Sequence, residues 1–347
     1  MSASATPSLA ARRLGRADVA VTELGLGTAP LGENWDIIAE AEASALLDAA
    51  WDGGVRYFDT SPWYGKGQAE HRVGRALYRR PRGDFVVSSK VGRLLRRPLK
   101  AGPFAHGDWL GGLEFDAVFD YGYDGVMRSF EDSLQRLGMN RIDVLLIHDL
   151  DPWHFKSEAK VGAYFNQLFT SGWRALEELR DQGVIRGIGA GFNTLGTIPR
   201  YLEMFDIDFF LLAMRYTLLE QDALDREFAL CAERGVGVVI GGPYNSGILA
   251  TGPVAGAMHN YAPAAPAILE RVARIEAICR RHATPLAAAA LQFPLGHPVV
   301  ASVIPGAISQ RQVARNLAAF GHAIPADLWA ELKHEKLLRE DAPVPRR

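Results

Sequence analysis

The stretch DVLLIHDL, residues 143–150, is an almost unbroken apolar run that ends in His148 and Asp149. A run without polar alternation is typical of a parallel strand that is covered on both faces. Seven more candidate strands occur along the chain, at residues 24–30, 56–61, 85–92, 185–193, 209–216, 235–242 and 299–306. The chain is therefore expected to build a parallel sheet with helices packed on it.

The segments between these strands have the apolar spacing of helices. Such patterns cover residues 42–51, 126–137, 171–179 and 225–234. Glycine commonly ends a helix, and Gly53 and Gly138 follow the first two segments. Eight strands alternating with helices in 347 residues predict an α/β fold, a (β/α)₈ TIM barrel, with a doubly wound sheet as the alternative. Because no linker divides the chain, we expect one barrel domain over residues 13–341, preceded by a disordered tail over residues 1–12.

Two stretches are longer than a plain barrel requires. Residues 93–122 form the connection between the third strand and the third helix, and connections of that length are usually lids, binding loops or disordered segments. Residues 325–341 begin with Pro325 and have a helical pattern. The sequence therefore predicts a long β3–α3 loop and an extra C-terminal helix.

Composition excludes several classes of protein. The chain is 48% hydrophobic and 22% charged with a net charge of −2, which gives no basic face for nucleic acid. The sequence contains no run of 18 apolar residues, so it predicts no membrane span. The two cysteines, Cys231 and Cys279, are too few for a disulfide framework or a zinc cluster. The N-terminal residues lack the apolar core of a secretory signal, so a cytoplasmic location is expected.

Four polar residues follow three consecutive strands. Asp59 ends the second strand, Tyr64 lies in the loop after it, Lys90 lies near the end of the third and His148 ends the fourth. In a TIM barrel the C-terminal ends of the strands form the active-site face. Each residue alone has an ordinary explanation as a turn cap, a solvent-facing lysine or a core histidine. Their coincidence at matching strand ends favours an active site.

These residue types suit proton transfer between an alcohol and a carbonyl. A tyrosine has a pKa near 10, and a neighbouring ammonium is expected to lower the pKa of Tyr64. Asp59 would hold Lys90 in place, and His148 would hydrogen-bond the reacting oxygen. Such a site needs no metal.

These residues resemble the aldo-keto reductase superfamily over residues 13–340. The matching segments are GVRYFDTSPWYG (54–65), EHRVGRAL (70–77), IDVLLIHD (142–149) and VIPGAISQRQVARNL (303–317). The resemblance implies that Asp59, Tyr64, Lys90 and His148 are the catalytic tetrad.

A narrower resemblance is to the D-threo-aldose 1-dehydrogenase and L-fucose dehydrogenase group, with pyridoxal 4-dehydrogenases nearby. It depends on FDYGYDGVMRSFEDSLQRLG (119–138), RYTLLEQ (215–221), VVIGGPYNSGILATG (238–252) and PLAAAALQFPLGHP (285–298). It implies oxidation of C1 of a cyclic hemiacetal sugar to the lactone with a nicotinamide cofactor. The alternatives are a pyridoxal 4-dehydrogenase, a general NADPH aldehyde or ketone reductase and a non-catalytic nucleotide-sensing subunit.

The resemblance also implies a cofactor site on the same face. Its expected members are Gly27, Thr28, Asp59, Asn193, Tyr216, Gly242, Pro243, Tyr244, Asn245, Gly247, Leu249, Ile304, Gly306, Gln312 and Asn316. By spacing alone GGPYNSG (241–247) is either a turn or a cradle for the pyrophosphate.

The sequence departs from the superfamily at three places in this site. Gly191 and Asn193 replace a usual Ser-Asn pair, and Ala213 replaces a glutamine, with Arg215 or Tyr216 nearby as substitutes. In the superfamily a Lys or Arg that holds the 2′-phosphate of NADP usually follows the Ile-Pro of the eighth strand. Here the first basic residue after Pro305 is Arg311, which favours NAD as the cofactor. Arg311 and Arg315 leave NADP as the alternative.

The substrate is expected to be a small sugar or aldehyde. Trp63 and Trp109, with Tyr64 and His148, are the predicted substrate contacts, and Phe104 and His106 lie in the same long loop. No nucleic-acid or membrane partner is expected, and the chain is expected to be a monomer or a small homo-oligomer.

Overall fold

A parallel eight-stranded barrel dominates the computed structural model, which describes residues 8–99 and 102–345. In this part of the chain the strands are β1 Ala11–Arg13, β2 Ala20–Thr22, β3 Leu26–Gly27, β4 Tyr57–Asp59, β5 Val86–Val91, β6 Arg93–Arg96, β7 Asp116–Phe119, β8 Val144–His148, β9 Ile188–Phe192, β10 Phe209–Ala213, β11 Gly237–Gly241, β12 Met258–His259, β13 Ala262–Pro263 and β14 Val300–Ile304. The sheet order is β14-β11-β10-β9-β8-β5-β4-β3, and every one of the eight expected strands is a member. The predicted TIM barrel is confirmed.

Helices follow most barrel strands and cover the outside of the sheet. Their bounds are α1 Glu40–Asp52, α2 Gln68–Leu77, α3 Tyr123–Leu137, α4 Pro152–Phe155, α5 Glu158–Gln167, α6 Trp173–Asp181, α7 Thr197–Met204, α8 Glu227–Arg234, α9 Ile248–Thr251, α10 Pro266–Arg281, α11 Leu286–Gln292, α12 Gln310–Phe320 and α13 Ala326–His334. Gly138 ends α3 with a left-handed φ of 62°, as its sequence position predicts.

The barrel is closed by a seam between its first and last strands. The N–H of Gly25 donates to the carbonyl of Val303 at 2.9 Å, and Gly27 pairs with Gly306. A Cβ atom on Gly27 would lie 2.8 Å from the carbonyl oxygen of Ile304, so the strands approach closely because side chains are absent there. Closure brings the ends of β3 and β14 to the same face as the tetrad strands.

An N-terminal hairpin covers the opposite end of the barrel. Strands β1 and β2 pair antiparallel, and Leu14, Val19 and Val21 pack against the apolar barrel interior. Ala11 and Arg12 therefore belong to a strand, and the expected disordered tail over residues 1–12 is wrong at these positions. Residues 1–7 lie outside the described residues.

The two extra stretches have more local structure than the sequence indicated. Within 93–122, β6 and β7 form an antiparallel hairpin, because Arg93 pairs with Phe119 and Arg96 with Asp116. The C-terminal helix is present but shorter than expected, since α13 ends at His334 and Lys336 has a φ of 56°. Within the described residues, no helix is long and apolar enough to cross a membrane.

Candidate active site

A buried ion pair joins the ends of two neighbouring strands. Asp59 ends β4 and Lys90 lies near the end of β5, and Lys90 Nζ is 2.7 Å from Asp59 Oδ2 with both side chains at most 2% exposed. Lys90 Nζ also donates to the carbonyl of Thr60 at 2.9 Å, and Ser88 Oγ donates to Asp59 Oδ1 at 2.7 Å. Such a pair is rigid, because separating it would leave a charge in a dry environment.

The ring of Tyr64 lies directly above this ammonium. Lys90 Nζ is 4.7 Å from the centre of the Tyr64 ring, and the Tyr64 side chain is partly exposed. Burial raises the pKa of Tyr64 well above 10, and the carboxylates of Asp59 and Asp149 raise it further. The expected lowering of this pKa by Lys90 is therefore wrong for the protein alone. The ammonium faces the ring and is paired with Asp59, so it offers the phenolate little net positive charge.

His148 stands at right angles to Tyr64, with ring centres 5.8 Å apart. Burial, followed by the charges of Arg93 and Lys90, lowers the pKa of His148 well below 6.5, so the ring is neutral at pH 7. Ser61 Oγ lies 3.0 Å from Nδ1 and accepts a hydrogen bond from the N–H of Trp63. Ser61 can donate its own proton to Nδ1, and Nε2 lies 3.4 Å from the acceptor Asp149 Oδ2, so we assign the imidazole proton to Nε2. His148 is thus arranged as a neutral hydrogen-bond donor.

Aromatic side chains form a wall beside the tetrad. The Trp63 and Trp109 rings meet edge to face with centres 5.7 Å apart, and Trp109 is 6.2 Å from Tyr64. Phe104 and His106 also meet edge to face, and Lys66 lies between Phe104 and Trp63. The long loop therefore brings its predicted aromatic residues to the tetrad.

Sequence reasoning missed the charged pair Arg93 and Asp149. Arg93 Nη2 lies 2.7 Å from Asp149 Oδ2, and Asp149 Oδ2 is 3.4 Å from His148 Nε2. Burial raises the pKa of Asp149, and the charge of Arg93 opposes that shift. Their positions in the sequence could have identified them as active-site residues, because Arg93 and Asp149 lie just after the C-terminal ends of barrel strands.

The loop after β11 has the backbone shape expected of a phosphate cradle. Gly242, Asn245, Ser246 and Gly247 all have positive φ, and Gly247 has open space where a Cβ would be. Successive left-handed residues turn backbone N–H groups toward one side, which suits an anion. Tyr244 donates from its hydroxyl to Asn316 Oδ1 at 3.1 Å, which brings this loop against α12.

Asn193 is another predicted cofactor residue, and its side-chain amide is buried. It follows β9, and its Nδ2 is buried and makes no hydrogen bond of normal geometry to a described residue, although it faces the Tyr261 hydroxyl. A ligand acceptor at this place would give the amide a hydrogen bond of better geometry and would stabilise it. Together with the glycine-rich loop, Asn193 fits the two ends of a nicotinamide dinucleotide.

Other predicted cofactor residues face inward. Tyr216 is completely buried, and its ring packs on Phe228, Phe293 and His297, so its side chain belongs to the core and does not reach the cofactor face. Thr28 and Asn245 are buried, and their side chains donate to the carbonyls of Asp59 and Met214. Leu249 and Ile304 are core residues. Gln312 is half-buried, and its side chain accepts a hydrogen bond from the N–H of Ile308. The burial of Tyr216 could not be predicted from its neighbours in the sequence, because the rings that cover it come from other segments.

The model of the aldo/keto reductase family matches residues 23–335. The chain belongs to this family. It is therefore an oxidoreductase of a family that uses nicotinamide cofactors, as its resemblance predicted.

Two curated relatives of this aldo-keto reductase are named as dehydrogenases. It is 43% identical to a pyridoxal 4-dehydrogenase of Microbacterium luteolum over 94% of this chain and 97% of that protein. It is 37% identical to a D-threo-aldose 1-dehydrogenase of a Pseudomonas species over 93% of this chain and 96% of that one. Among solved structures, the holo form of an aldo-keto reductase from Bacillus halodurans is 28% identical with a TM-score of 0.71, covering 98% of this chain and 99% of that one.

Proposed function

We propose that this aldo-keto reductase is an NAD-dependent dehydrogenase that oxidises C1 of a cyclic hemiacetal sugar, of the L-fucose or D-threo-aldose type, to the lactone. The observation that carries the proposal is the stacked arrangement of the Lys90–Asp59 pair, the Tyr64 ring and the neutral His148. The similarity to a D-threo-aldose 1-dehydrogenase supports the substrate class.

Two residues of the chain act on the substrate oxygen in different ways. His148 donates from Nε2 to the hydroxyl oxygen on C1 and orients it. The Tyr64 oxygen takes the hydroxyl proton as the C–O bond becomes a carbonyl. A bound nicotinamide cofactor would supply the acceptor for the hydride that C1 loses. Lys90 and Asp59 support Tyr64 from below, and the tryptophan wall keeps water from the reacting carbon.

The raised pKa of Tyr64 predicts how the two reaction directions depend on pH. Oxidation needs the phenolate, whose fraction grows about tenfold per pH unit below the pKa, so kcat/KM for oxidation should rise steadily from pH 7 to pH 9 or above. Reduction needs the phenol and should be flat over that range. Rate profiles in both directions measure this. A plateau in oxidation from pH 7 onward would show that the pKa of Tyr64 is lowered instead.

The first turn of α12 supports NAD over NADP. Glu42 Oε1 accepts a hydrogen bond from the N–H of Gln310 at 2.8 Å, within the segment after β14 where the superfamily usually holds the 2′-phosphate. A carboxylate there satisfies a helix N-terminal N–H and repels a second anion. The ribose hydroxyls of NAD avoid that repulsion.

We expect kcat/KM to favour NAD, and Glu42→Gln to shift the ratio toward NADP. One like-charge contact at a half-exposed site contributes roughly a few-fold to tenfold in affinity. Steady-state kinetics with both cofactors measure the ratio. Glu131→Gln is the matched control, since Glu131 is an exposed glutamate on α3. A clear NADP preference in the unaltered protein would overturn the cofactor assignment.

A pyridoxal 4-dehydrogenase is the second candidate, because the chain is 43% identical to one. Pyridoxal closes to a five-membered hemiacetal between its formyl and hydroxymethyl groups, so oxidation of the former formyl carbon, C4′, to a lactone uses the same chemistry. The flat aromatic wall of Trp63 and Trp109 also suits a pyridine ring. A panel of L-fucose, D-arabinose, L-galactose and pyridoxal with NAD separates the two. Turnover of none of them would overturn the proposed reaction.

A further inference from the structure

Asp149 has an unusual backbone at the edge of the pocket. It directly follows His148, and its φ is 46°, a left-handed value that is uncommon for residues other than glycine, although asparagine and aspartate adopt it more often than most. Its N–H donates to the carbonyl of Gly191 at 2.8 Å, which holds the turn in place. Backbone strain of this kind persists when the surrounding structure enforces it. The turn presents the carboxylate beside His148 Nε2.

Arg93 fixes the direction of that carboxylate. The guanidinium is 1% exposed and lies 4.5 Å from the centre of the Trp63 ring and 5.3 Å from that of Phe119. Its Nη2 donates to Asp149 Oδ2 at 2.7 Å. An arginine held between two rings loses little further freedom on pairing, so Asp149 is preorganised.

The other carboxylate oxygen remains available. Asp149 Oδ1 accepts no hydrogen bond from the residues that the structure describes, and the side chain is 19% exposed. An ionised carboxylate can accept several hydrogen bonds and donates none. The carboxylate as a whole stands beside the Nε2–H that orients the reacting oxygen, because Asp149 Oδ2 is 3.4 Å from His148 Nε2.

We propose that Asp149 accepts a hydrogen bond from the substrate hydroxyl on the carbon next to the reacting one, and so selects substrates with a neutral hydroxyl at that position. This inference rests on the proposed function for the reacting carbon. Oxygens on adjacent carbons lie about a hydrogen-bond length apart, and the Asp149 carboxylate and His148 Nε2 are neighbours at a similar separation, 3.4 Å from Oδ2. A carboxylate repels an anionic oxygen, so the same residue disfavours a pyridine ring whose neighbouring oxygen is ionised.

Paired substrates test the contact without relying on overall activity. The first pair is an aldose that the enzyme oxidises and its 2-deoxy analogue, with NAD. The second pair is 2-hydroxypropanal and propanal, reduced with NADH, which requires no hemiacetal. Hydrogen bonds to charged groups predict a tenfold to hundredfold preference in kcat/KM for the hydroxylated member, expressed mainly in KM.

The preference should fall to a few-fold or less in Asp149→Asn, which removes the charge but retains a residue that tolerates left-handed φ. Asp116→Asn on β7 is the matched control, because Asp116 is an exposed aspartate. A structural role for Asp149 would lower both members of a pair equally. An unchanged ratio in Asp149→Asn, or a ratio near one in the unaltered protein, would overturn the inference.

The two pairs also separate the two proposals. Failure to oxidise any aldose, with the aldehyde ratio still dependent on Asp149, would overturn the sugar dehydrogenase proposal and support the role of Asp149. Oxidation of an aldose with no dependence on Asp149 in either pair would support the sugar dehydrogenase proposal and overturn the role of Asp149.

Discussion

Tyr64→Phe is expected to lower kcat for oxidation by at least roughly 10²–10⁴-fold, the contribution of a positioned proton-transfer group. The change removes one oxygen and keeps the ring, which packs 5.8 Å from His148 and 6.2 Å from Trp109 between centres. Substrate binding should therefore change little, and the loss should appear in kcat with KM close to its original value. Steady-state kinetics with a saturating cofactor measure it.

The control for this variant is Tyr78→Phe. Tyr78 is an exposed tyrosine at the end of α2, and losing its hydroxyl should leave turnover unchanged. Circular dichroism and the thermal midpoint should be the same for both variants and the unaltered protein. Near-normal turnover in Tyr64→Phe would remove Tyr64 from the proton-transfer step.

Lys90→Met is expected to reduce both stability and activity. It leaves the Asp59 carboxylate, which is 2% exposed, without its ammonium partner. Breaking a buried ion pair from one side costs about 3–5 kcal/mol in the free energy of unfolding, because the remaining charge is uncompensated. Denaturant unfolding measures this cost, and turnover should fall because Tyr64 loses the buried ion pair that its ring packs against.

A double variant separates the two effects. Asp59→Asn with Lys90→Met removes both charges, so much of the lost stability should return while turnover stays low. Lys160→Met is the matched control, since Lys160 is exposed on α5 and should alter neither quantity. Full activity in the double variant would mean that the pair only supports the fold. Unfolding of Lys90→Met at the original denaturant concentration would contradict a buried pair.

The fold could be predicted because its signals are local. Each barrel strand is a short apolar run, and helices such as α3 end at a glycine that adopts left-handed φ. The convergence of Asp59, Lys90 and His148 followed from one further rule, that parallel strands end on the same face. Local signals were weaker for the β6–β7 hairpin, which depends on pairing between distant parts of one loop.

The sequence by itself determined the barrel, the family and the convergence of Asp59, Tyr64, Lys90 and His148 on one face, since these depend on residue type and spacing along the chain. Only the tertiary structure decided the direction of the Tyr64 pKa shift, which depends on burial and on carboxylates from other strands. It also decided that Tyr216 is a core residue, and it paired Arg93 with Asp149 across 56 positions and Glu42 with Gln310 across 268. Electrostatic energies depend on distances in space and on the local dielectric environment, and neither can be read from the sequence without the folded structure.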